Sequence, residues 1–448
     1  MPEKIVVCGA GLVGSLLSVY LAKKGHDVEI YERRSDPRLA TQDSGRSINL
    51  ALSDRGLRAL AGVNLAEKIK TEYAIPMYRR VMHDKQGNLT YQPYGKENQA
   101  INSVSRSKLN QMLMDEAEEN GVKIKFGQKC STVNLKEPHV VFQDCQTGEL
   151  ERVGANLIFG ADGAFSGVRT AMQKTDRFNY SQKFIDHGYK ELTIQSGPNG
   201  EFLIEREALH IWPRGSHMLI ALPNPDGSFT CTLFFPFEGN SSFSSLDTTE
   251  KARRFFEEEF SDVLPLMKDF DKEWEQNPAS SMVIISCYPW TRNGKVALIG
   301  DSSHAIVPFY GQGMNSGFED CTVLNELIEK HGDNWDLIFR EYEQSRKPDT
   351  DAISELALRN FVEMRDLTGD PDFLLRKKIE RKFSDKYPQK WVPLYSLVTF
   401  SDHVRYSEAL DLGKKQDKIM EQIMSLPDIH EKWDTEEVEE AMLNLVES

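Results

Sequence analysis

The 448-residue chain carries 54 Lys and Arg residues against 69 Asp and Glu residues, a formal net charge of −15, and 40% of its residues are hydrophobic. This length predicts two or three domains, and the acidic balance argues against nucleic acid or an anionic membrane as a main partner. Because there is no long apolar run and the six cysteines are scattered, we expect a cytoplasmic protein with reduced thiols, no transmembrane helix and no metal site.

The first residues predict a βαβ unit. A strand (Lys4–Cys8) is followed by a glycine turn, an amphipathic helix reaches about Lys24, and a second strand runs from Asp27 to Tyr31. A hairpin follows in residues 76–95, with its turn near Gln86-Gly87-Asn88, and then a helix that is capped by Ser105 and ended by Gly121. Residues 184–288 predict a sheet that is interrupted by a helix (Thr248–Phe260). An α/β unit starts at residue 295, and the chain is helical from about Asp336.

The glycine turn has the sequence GAGLVG. Gly9 permits a tight turn, Gly11 lets the backbone approach a pyrophosphate, and Gly14 lets the helix pack close to the sheet. Glu32 ends the second strand, where it can accept hydrogen bonds from a ribose. The motif therefore predicts a dinucleotide site, without distinguishing NAD from FAD.

Two later strand-to-helix turns carry similar signals. The strand KVALIG ends in Asp301, which can bind a polyol hydroxyl, and the turn Gly311–Asn315 can bring backbone N–H groups to a flat anionic ring. Such a helix end favours a reduced flavin, whose pyrimidine edge carries negative charge. The third turn, GADGAFSGVR around Asp162, is by itself more typical of ordinary turn chemistry.

GAGLVG with Glu32, GADGAFSGVR and GDSSHAIVPFYGQGMN, in this order, resemble the three fingerprints of the single-component flavoprotein aromatic hydroxylases. Longer strings resemble the kynurenine 3-monooxygenase branch of that family: GRSINLALSDRGLRAL, IPMYRRVMH, SVSRSKLN, RNFVEMR and VPLYSLVTFS. The resemblance implies a Rossmann-like FAD-binding domain (1–75, 96–180 and 289–385) interleaved with a mainly antiparallel β-sheet substrate domain (76–95 and 181–288), and a helical C-terminal region (386–448).

The resemblance also implies the chemistry. NADPH would reduce tightly bound FAD, O2 would react to give a C4a-hydroperoxyflavin, and L-kynurenine would be hydroxylated to 3-hydroxy-L-kynurenine in tryptophan catabolism. The turns and the resemblance together assign these residues to FAD: Gly9, Gly11, Val13, Gly14, Tyr31, Glu32, Arg33, Arg34, Ala51, Arg106, Cys130, Asp162, Asp301, Gly313, Met314 and Asn315. The resemblance assigns Arg80, Tyr94, Asn360 and Tyr395 to the substrate.

The substrate residues can also be weighed on their own patterns. With a hairpin loop of Gln86 to Asn88, Arg80 would lie directly opposite Tyr94, and this pair would make a carboxylate clamp; a solvated arginine is the alternative. Asn360 lies on an apolar helical stripe and should have a partner, for which a ligand is one candidate. Tyr395 alone would be interpreted as a core tyrosine.

Other aromatic residues and one histidine lie near the predicted site. We expect Pro308-Phe309-Tyr310, Phe234 and Phe237 to be candidate pocket walls. His304 invites a general-base role, but we expect it to fix the loop that it belongs to. No catalytic triad or phosphate-binding P-loop is visible, so the flavin is expected to carry the chemistry.

The chain departs from the eukaryotic members of the family at its C-terminal end. Those members carry a hydrophobic tail, whereas residues 409–448 are polar here, so we expect no membrane anchor. We also expect a monomer or weak homodimer. Two alternatives stay open at this point. One is a related flavin hydroxylase of another aromatic acid, and the other is a non-catalytic protein of the same fold, like the GDP-dissociation inhibitors.

Overall fold

A computed structural model describes residues 2–39, 49–95, 99–364 and 370–447. Residues 45–48 of the string GRSINLALSDRGLRAL, Arg365 and the expected domain boundary at residue 96 lie outside them. The strands are β1 (Lys4–Cys8), β2 (Asp27–Glu32), β3 (Asn49–Leu52), β4 (Ala74–Met77), β5 (Arg79–His83), β6 (Leu89–Pro93), β7 (Ile101–Ser105), β8 (Lys123–Phe126), β9 (Gln128–Asn134), β10 (His139–Asp144), β11 (Leu150–Gly154), β12 (Leu157–Gly160), β13 (Asn179–Ile194), β14 (Ala208–Pro213), β15 (Met218–Pro223), β16 (Phe229–Pro236), β17 (Ser280–Tyr288), β18 (Thr291–Arg292) and β19 (Val296–Leu298).

The α-helices are α1 (Leu12–Lys23), α2 (Asp54–Ala61), α3 (Ala66–Glu72), α4 (Arg106–Glu119), α5 (Gly167–Met172), α6 (Thr249–Glu259), α7 (Phe270–Gln276), α8 (Asp301–His304), α9 (Gly313–His331), α10 (Trp335–Val362), α11 (Pro371–Lys386), α12 (Leu394–Thr399), α13 (Tyr406–Met424), α14 (Ile429–Lys432) and α15 (Glu436–Glu447). Single turns of 3-10 helix occupy Pro37–Leu39, Leu264–Leu266 and Pro308–Tyr310. In the part of the chain that the structure describes, every helix is too short or too polar to cross a bilayer.

The six-stranded sheet has the order β18-β19-β12-β1-β2-β8, and all its pairs are parallel except β18–β19. The central strand β1 reads KIVVC and is buried along most of its length, as expected of a parallel strand covered on both faces. Because β1 lies between β2 and β12, its carboxyl end opens at the crevice where dinucleotides bind in this class of sheet.

The seven-stranded sheet has the order β17-β13-β16-β15-β14-β5-β6 and is antiparallel except for β14–β5. One face of it packs against α6 and α7 through an aromatic core that includes Phe235, Phe256 and Trp274. The other face contributes Phe234 to a core shared with residues 307–310 and with α10, α12 and α13. The expected combination of a Rossmann-like domain, an antiparallel sheet and C-terminal helices is therefore confirmed.

The β5–β6 hairpin corrects one prediction. Its loop is Lys85-Gln86-Gly87, closed by the hydrogen bond from Asp84 N to Asn88 O, so that Arg80 pairs with Gln92 and not with Tyr94. Tyr94 lies two residues beyond Gln92 and keeps the same side of the sheet as Arg80, because side chains alternate along a strand.

A buried arginine joins α9 to α10. Arg346 donates from Nε to Asp320 Oδ1 at 2.7 Å and from Nη1 to Glu319 Oε2 at 2.7 Å, and the side chains of Arg346 and Asp320 are 1% and 0% exposed. Burial opposes the charge of Asp320, but His304 and Arg346 hold the pKa of this carboxyl below its ordinary value. The pair therefore stays ionised inside the protein.

We expect Arg346→Ala to lower the free energy of unfolding by about 3–5 kcal/mol, because it leaves buried carboxylates without their cation. Arg340→Ala, at an exposed position of the same helix, should change it by less than about 0.5 kcal/mol. Urea unfolding of the two apoproteins measures the difference. Equal losses would show that the buried ion pair does not hold α9 to α10.

Candidate active site

The first glycine turn is sterically fixed. Gly9 has φ +105°, and a Cβ there would lie 2.5 Å from Ala161 O. A Cβ on Gly14 would lie 2.1 Å from Gly9 O. Gly11 differs, because a Cβ on it would meet no protein atom within 4 Å. The turn is therefore packed tightly on the sheet at two glycines and open at the third.

The helix α1 starts at this open position. Its N-cap is Gly11, which offers no side-chain hydrogen bond to the helix end, so the first N–H groups of α1 remain available to an anion. Val13, in the first turn of α1, packs close to Gly300 and Gly317. The first and third fingerprints thus meet beside the helix N-terminus.

Glu32 is placed at the same crevice. One carboxylate oxygen accepts from Ala10 N at 2.9 Å, and the other accepts from Arg34 N and Nε at 3.0 and 2.8 Å. Burial opposes the charge of Glu32, but the hydrogen bonds from Arg34 outweigh it and lower the pKa of this carboxyl. A carboxylate has about four acceptor positions, so Glu32 can still accept a ribose hydroxyl.

Other residues predicted to contact FAD differ in their exposure to solvent. Arg33, Arg34 and Arg106 are exposed, and Cys130 is half-buried beside Gly167. The ring of Tyr31, however, is buried and stacks on Phe142 with a centroid distance of 3.9 Å. The Tyr31 ring therefore packs on β10, which belongs to a separate three-stranded sheet of β9, β10 and β11.

The second fingerprint brings a carboxyl group to Gly9. Asp162 Oδ2 accepts from Gly167 N at 2.7 Å and from Val168 N at 3.2 Å, while its Oδ1 is buried without a hydrogen-bond partner among the described residues. Burial raises the pKa of this carboxyl. The Asp162 Cα lies 3.0 Å from the position that a Cβ of Gly9 would take, so the backbone of Asp162 adjoins the glycine turn.

In the third fingerprint, Asn315 forms hydrogen bonds both within the loop and to the residues of and after β3. Asp301 is exposed at the start of α8, and Gly313 and Met314 open α9. Asn315 donates to Ala51 O and to Gly311 O, both at 2.8 Å, and accepts from Ser53 N at 3.0 Å. Its side chain therefore ties the loop to β3.

His304 belongs to the buried charge cluster behind this loop. Its Nε2 lies 2.6 Å from Asp320 Oδ2, an oxygen that also accepts from Gly300 N at 3.0 Å. Since Asp320 also binds Arg346, the histidine is held by a structural carboxylate. The geometry supports the expectation that His304 fixes the loop.

Three of the four predicted substrate residues, Arg80, Tyr94 and Tyr395, come together beside β5. The Arg80 guanidinium lies over the rings of Tyr94 and Tyr395, with its Cζ 5.0 and 4.4 Å from their centroids. The two tyrosine rings stack at 5.7 Å. Among the described residues no carboxylate is ion-paired with Arg80, so its cation faces phenols alone.

The aromatic stack continues toward the third fingerprint. Tyr310 stacks on Tyr395 at 5.4 Å, four residues before Met314. Burial raises the pKa of the Tyr94 and Tyr310 phenols above their ordinary value, so both stay protonated donors at neutral pH. Tyr395 therefore joins Arg80 to Tyr310 of the third fingerprint.

The aromatic residues predicted to line the substrate pocket lie on two different faces of the seven-stranded sheet. Phe309 packs on Phe234 with ring centroids 4.9 Å apart, and Asn360 donates to Phe309 O at 2.6 Å. Phe237 is a wrong prediction, because it packs on Phe243, part of the core on the other face of the sheet. The amide of Asn360 thus has a protein partner and fixes the wall.

Comparisons with known proteins identify the fold and the family of this chain. An oxygenase of 2-methyl-3-hydroxypyridine-5-carboxylic acid, in its tetrameric form, superposes with a TM-score of 0.68 at 21% identity, over 83% of this chain and 94% of that one. A family model of an FAD binding domain matches residues 3–357. The chain is 50% identical over 447 residues to the kynurenine 3-monooxygenase of Flavobacterium psychrophilum, covering 100% of this chain and 99% of the relative. The chain belongs to the kynurenine 3-monooxygenase family. The enzyme of that name from Flavobacterium johnsoniae is 51% identical over 446 residues, covering 99% of each chain.

Membership in the kynurenine 3-monooxygenase family makes this chain an FAD-dependent monooxygenase. The residues present fit that cofactor. The open space at Gly11, the uncapped start of α1 and the unsatisfied Asp162 Oδ1 are complementary to the phosphates and hydroxyls of a dinucleotide. The family membership excludes the alternative of a non-catalytic protein of the same fold.

Arg169, the last residue of GADGAFSGVR, has a role in this member of the kynurenine 3-monooxygenase family that its local sequence does not indicate. Its guanidinium donates from Nη1 to Ser302 O at 2.7 Å and from Nη2 to Ala164 O at 2.6 Å. It therefore bridges the second and third fingerprints. Its fixed place at the end of GADGAFSGVR was the available signal, but the partner Ser302 lies 133 residues away.

Two glycine substitutions should separate folding from cofactor binding. Gly14→Ala should destabilise the apoprotein by about 3 kcal/mol or more, because its Cβ would collide with the Gly9 carbonyl. Gly11→Ala should leave apoprotein stability within about 1 kcal/mol and lose FAD, because the methyl group would fill the space of the diphosphate.

The measurements are thermal unfolding of the apoproteins and FAD retained per chain after purification. Normal FAD content in Gly11→Ala would place the diphosphate elsewhere.

Proposed function

We propose that this enzyme converts L-kynurenine, NADPH, O2 and a proton to 3-hydroxy-L-kynurenine, NADP+ and water. The observation that carries the proposal is the Arg80 cation, held between Tyr94 and Tyr395 and joined by Tyr310 to the third fingerprint. Relatives that are 50% and 51% identical over nearly the full chain bear the name kynurenine 3-monooxygenase, which supports the same substrate.

Arg80 would bind the carboxylate of the amino acid. Burial opposes the charge of Arg80, but the phenols of Tyr395 and Tyr94 interact with the guanidinium and its pKa stays above the ordinary value. Arg80 is half-buried. A cation in such a place without a partner carboxylate is stabilised most by an anionic ligand, and a guanidinium can bind a carboxylate through two parallel hydrogen bonds. The hydroxyl of Tyr94 would add one further donor.

The apolar residues would position the aromatic ring and keep water out. Phe309 stacks on Phe361 at 4.3 Å and contacts Phe234, and Asn360 holds the Phe309 carbonyl. Hydride acceptance from NADPH and activation of O2 are the chemistry that FAD supplies when bound. The aniline nitrogen of kynurenine activates its own ring, so the protein contributes orientation and a dry pocket, with no strong base.

Other parts of the proposal concern the cofactor and the assembly. We propose that the sixteen residues assigned to FAD in the sequence analysis bind it, with Tyr31 contributing through its backbone because its ring is stacked on Phe142. The net charge of −15 supports a monomer or weak homodimer, since like-charged copies repel. The six free cysteines support a reducing compartment such as the cytoplasm.

Arg80→Ala should leave FAD content unchanged and raise the KM for L-kynurenine by a factor on the order of 30 to several thousand, because losing one partner of a buried charge pair costs about 2–5 kcal/mol. The matched control is Arg79→Ala. This neighbour is exposed and paired with Glu205 at 2.6 Å, so its KM should stay within about twofold. Steady-state NADPH oxidation measures both. Equal KM values for Arg80→Ala and the wild type would remove Arg80 from the substrate site.

Product identification tests the substrate assignment. Purified enzyme is incubated with NADPH, air and either L-kynurenine, anthranilate or salicylate, and the products are identified by mass spectrometry and NMR. We expect 3-hydroxy-L-kynurenine in the first reaction and little substrate-stimulated NADPH oxidation in the others. Hydroxylation of salicylate or anthranilate in preference to kynurenine would favour a related hydroxylase of another aromatic acid.

A further inference from the structure

Asn110 lies on α4 and reaches into the first glycine turn. Its Nδ2 donates to Ala10 O at 3.1 Å, while Ala10 N donates to Glu32 Oε2 at 2.9 Å. The Ala10 carbonyl also accepts from Ser15 Oγ at the longer distance of 3.4 Å. Ala10, between Gly9 and Gly11, is therefore held at its carbonyl by Asn110 and Ser15 and at its N–H group by Glu32. Side chains from three elements thus fix the orientation of the peptides in the turn.

The bond to Ala10 O has a consequence for Gly11. In a trans peptide the C=O and N–H groups point in opposite directions, so fixing the Ala10 carbonyl toward Asn110 turns the Gly11 N–H away from α4. A Cβ on Gly11 would meet no protein atom within 4 Å, so this residue borders open space. An N–H group aimed into such a space at the start of a helix is suited to a phosphate oxygen.

The amide oxygen of Asn110 lacks a partner in the part of the chain that the structure describes. Asn110 Oδ1 is buried and has no hydrogen-bond partner among the described residues. An unpaired buried amide oxygen is unfavourable, and structures normally satisfy it with a protein group, a water or a ligand. Oδ1 of Asp162, whose backbone adjoins Gly9, is unsatisfied in the same way. Asn110 and Asp162 are therefore the two side chains next to the glycine turn that carry an acceptor without a partner among the described residues.

We propose that Asn110 is a positioning residue for the FAD dinucleotide. Its Nδ2 orients the Gly11 N–H toward the diphosphate, and its Oδ1 accepts from a hydroxyl group, either of the dinucleotide or of a water bound with it. Arg106 lies one helical turn earlier on α4 and is exposed, so the same helix can place a cation and an amide at the cofactor.

A purely structural role is the alternative, because α4 packs on α1 and Asn110 Nδ2 also lies 3.9 Å from Met114 Sδ. The test therefore separates apoprotein stability from FAD affinity. Apoproteins of the wild type, Asn110→Ala and Asn110→Asp are titrated with FAD, following the quenching of flavin fluorescence, and are melted without FAD. Asn110→Asp keeps the shape of the side chain but cannot donate to Ala10 O as a carboxylate.

The matched control is Asn120→Ala. Asn120 follows the last turn of the same helix and also donates to a backbone carbonyl, Glu116 O at 2.8 Å, far along α4 from the glycine turn. We expect the FAD Kd to rise about tenfold in Asn110→Ala and further in Asn110→Asp, whose charge repels the diphosphate, and to stay unchanged in Asn120→Ala. The melting temperatures of the three apoproteins should fall by similar amounts.

The proposal is overturned if the FAD Kd of both Asn110 variants equals that of the wild type. It is also overturned if their Kd rises only as far as in Asn120→Ala. If Asn110→Ala does not fold, the isosteric Asn110→Asp decides by the same Kd measurement. None of these readouts involves the aromatic substrate, so failure of the kynurenine assignment would leave them unaffected.

Discussion

Arg80 is a guanidinium group with no carboxylate partner among the described residues, and the surrounding structure keeps it charged and in place. Strand β5 carries it between β14 and β6, and the tyrosine rings at 4.4 and 5.0 Å partly replace its hydration. Aromatic faces stabilise a buried cation less than an anion does. Under the proposed function, this electrostatic requirement would select a ligand that brings its own carboxylate.

One segment, residues 308–315, contains residues of both the proposed substrate site and the proposed cofactor site. At its start Tyr310 stacks on Tyr395, and at its end Asn315 binds Ala51 O. Behind it, the buried cluster of Asp320 and Arg346 fixes Gly300 and His304. In the proposed complex, a loop held by side-chain contacts at both ends would therefore set the position of the substrate ring relative to the flavin.

Much of the fold and of the cofactor site could be predicted, because the signals are local. The strand, glycine turn and helix at the N-terminus follow from hydrophobic periodicity, and the Arg80–Tyr94 contact follows from alternation along a strand. The register was wrong because the Asp84 side chain caps the turn, accepting from Gln86 N and Asn88 N at 2.9 and 2.7 Å, and moves the loop one residue earlier. The roles of Arg169 and Asn110 depend on partners 133 and 100 residues away, which no local pattern specifies.

The central claim is that Arg80 binds the substrate through its carboxylate. The most direct test compares kcat/KM for L-kynurenine with that for kynuramine, its decarboxylated analogue, in the wild type and in Arg80→Ala. The account predicts a preference for kynurenine of about a hundredfold or more in the wild type and nearly equal values in the variant. If the wild type used both amines equally well, or if the variant kept the full preference, the account would be contradicted.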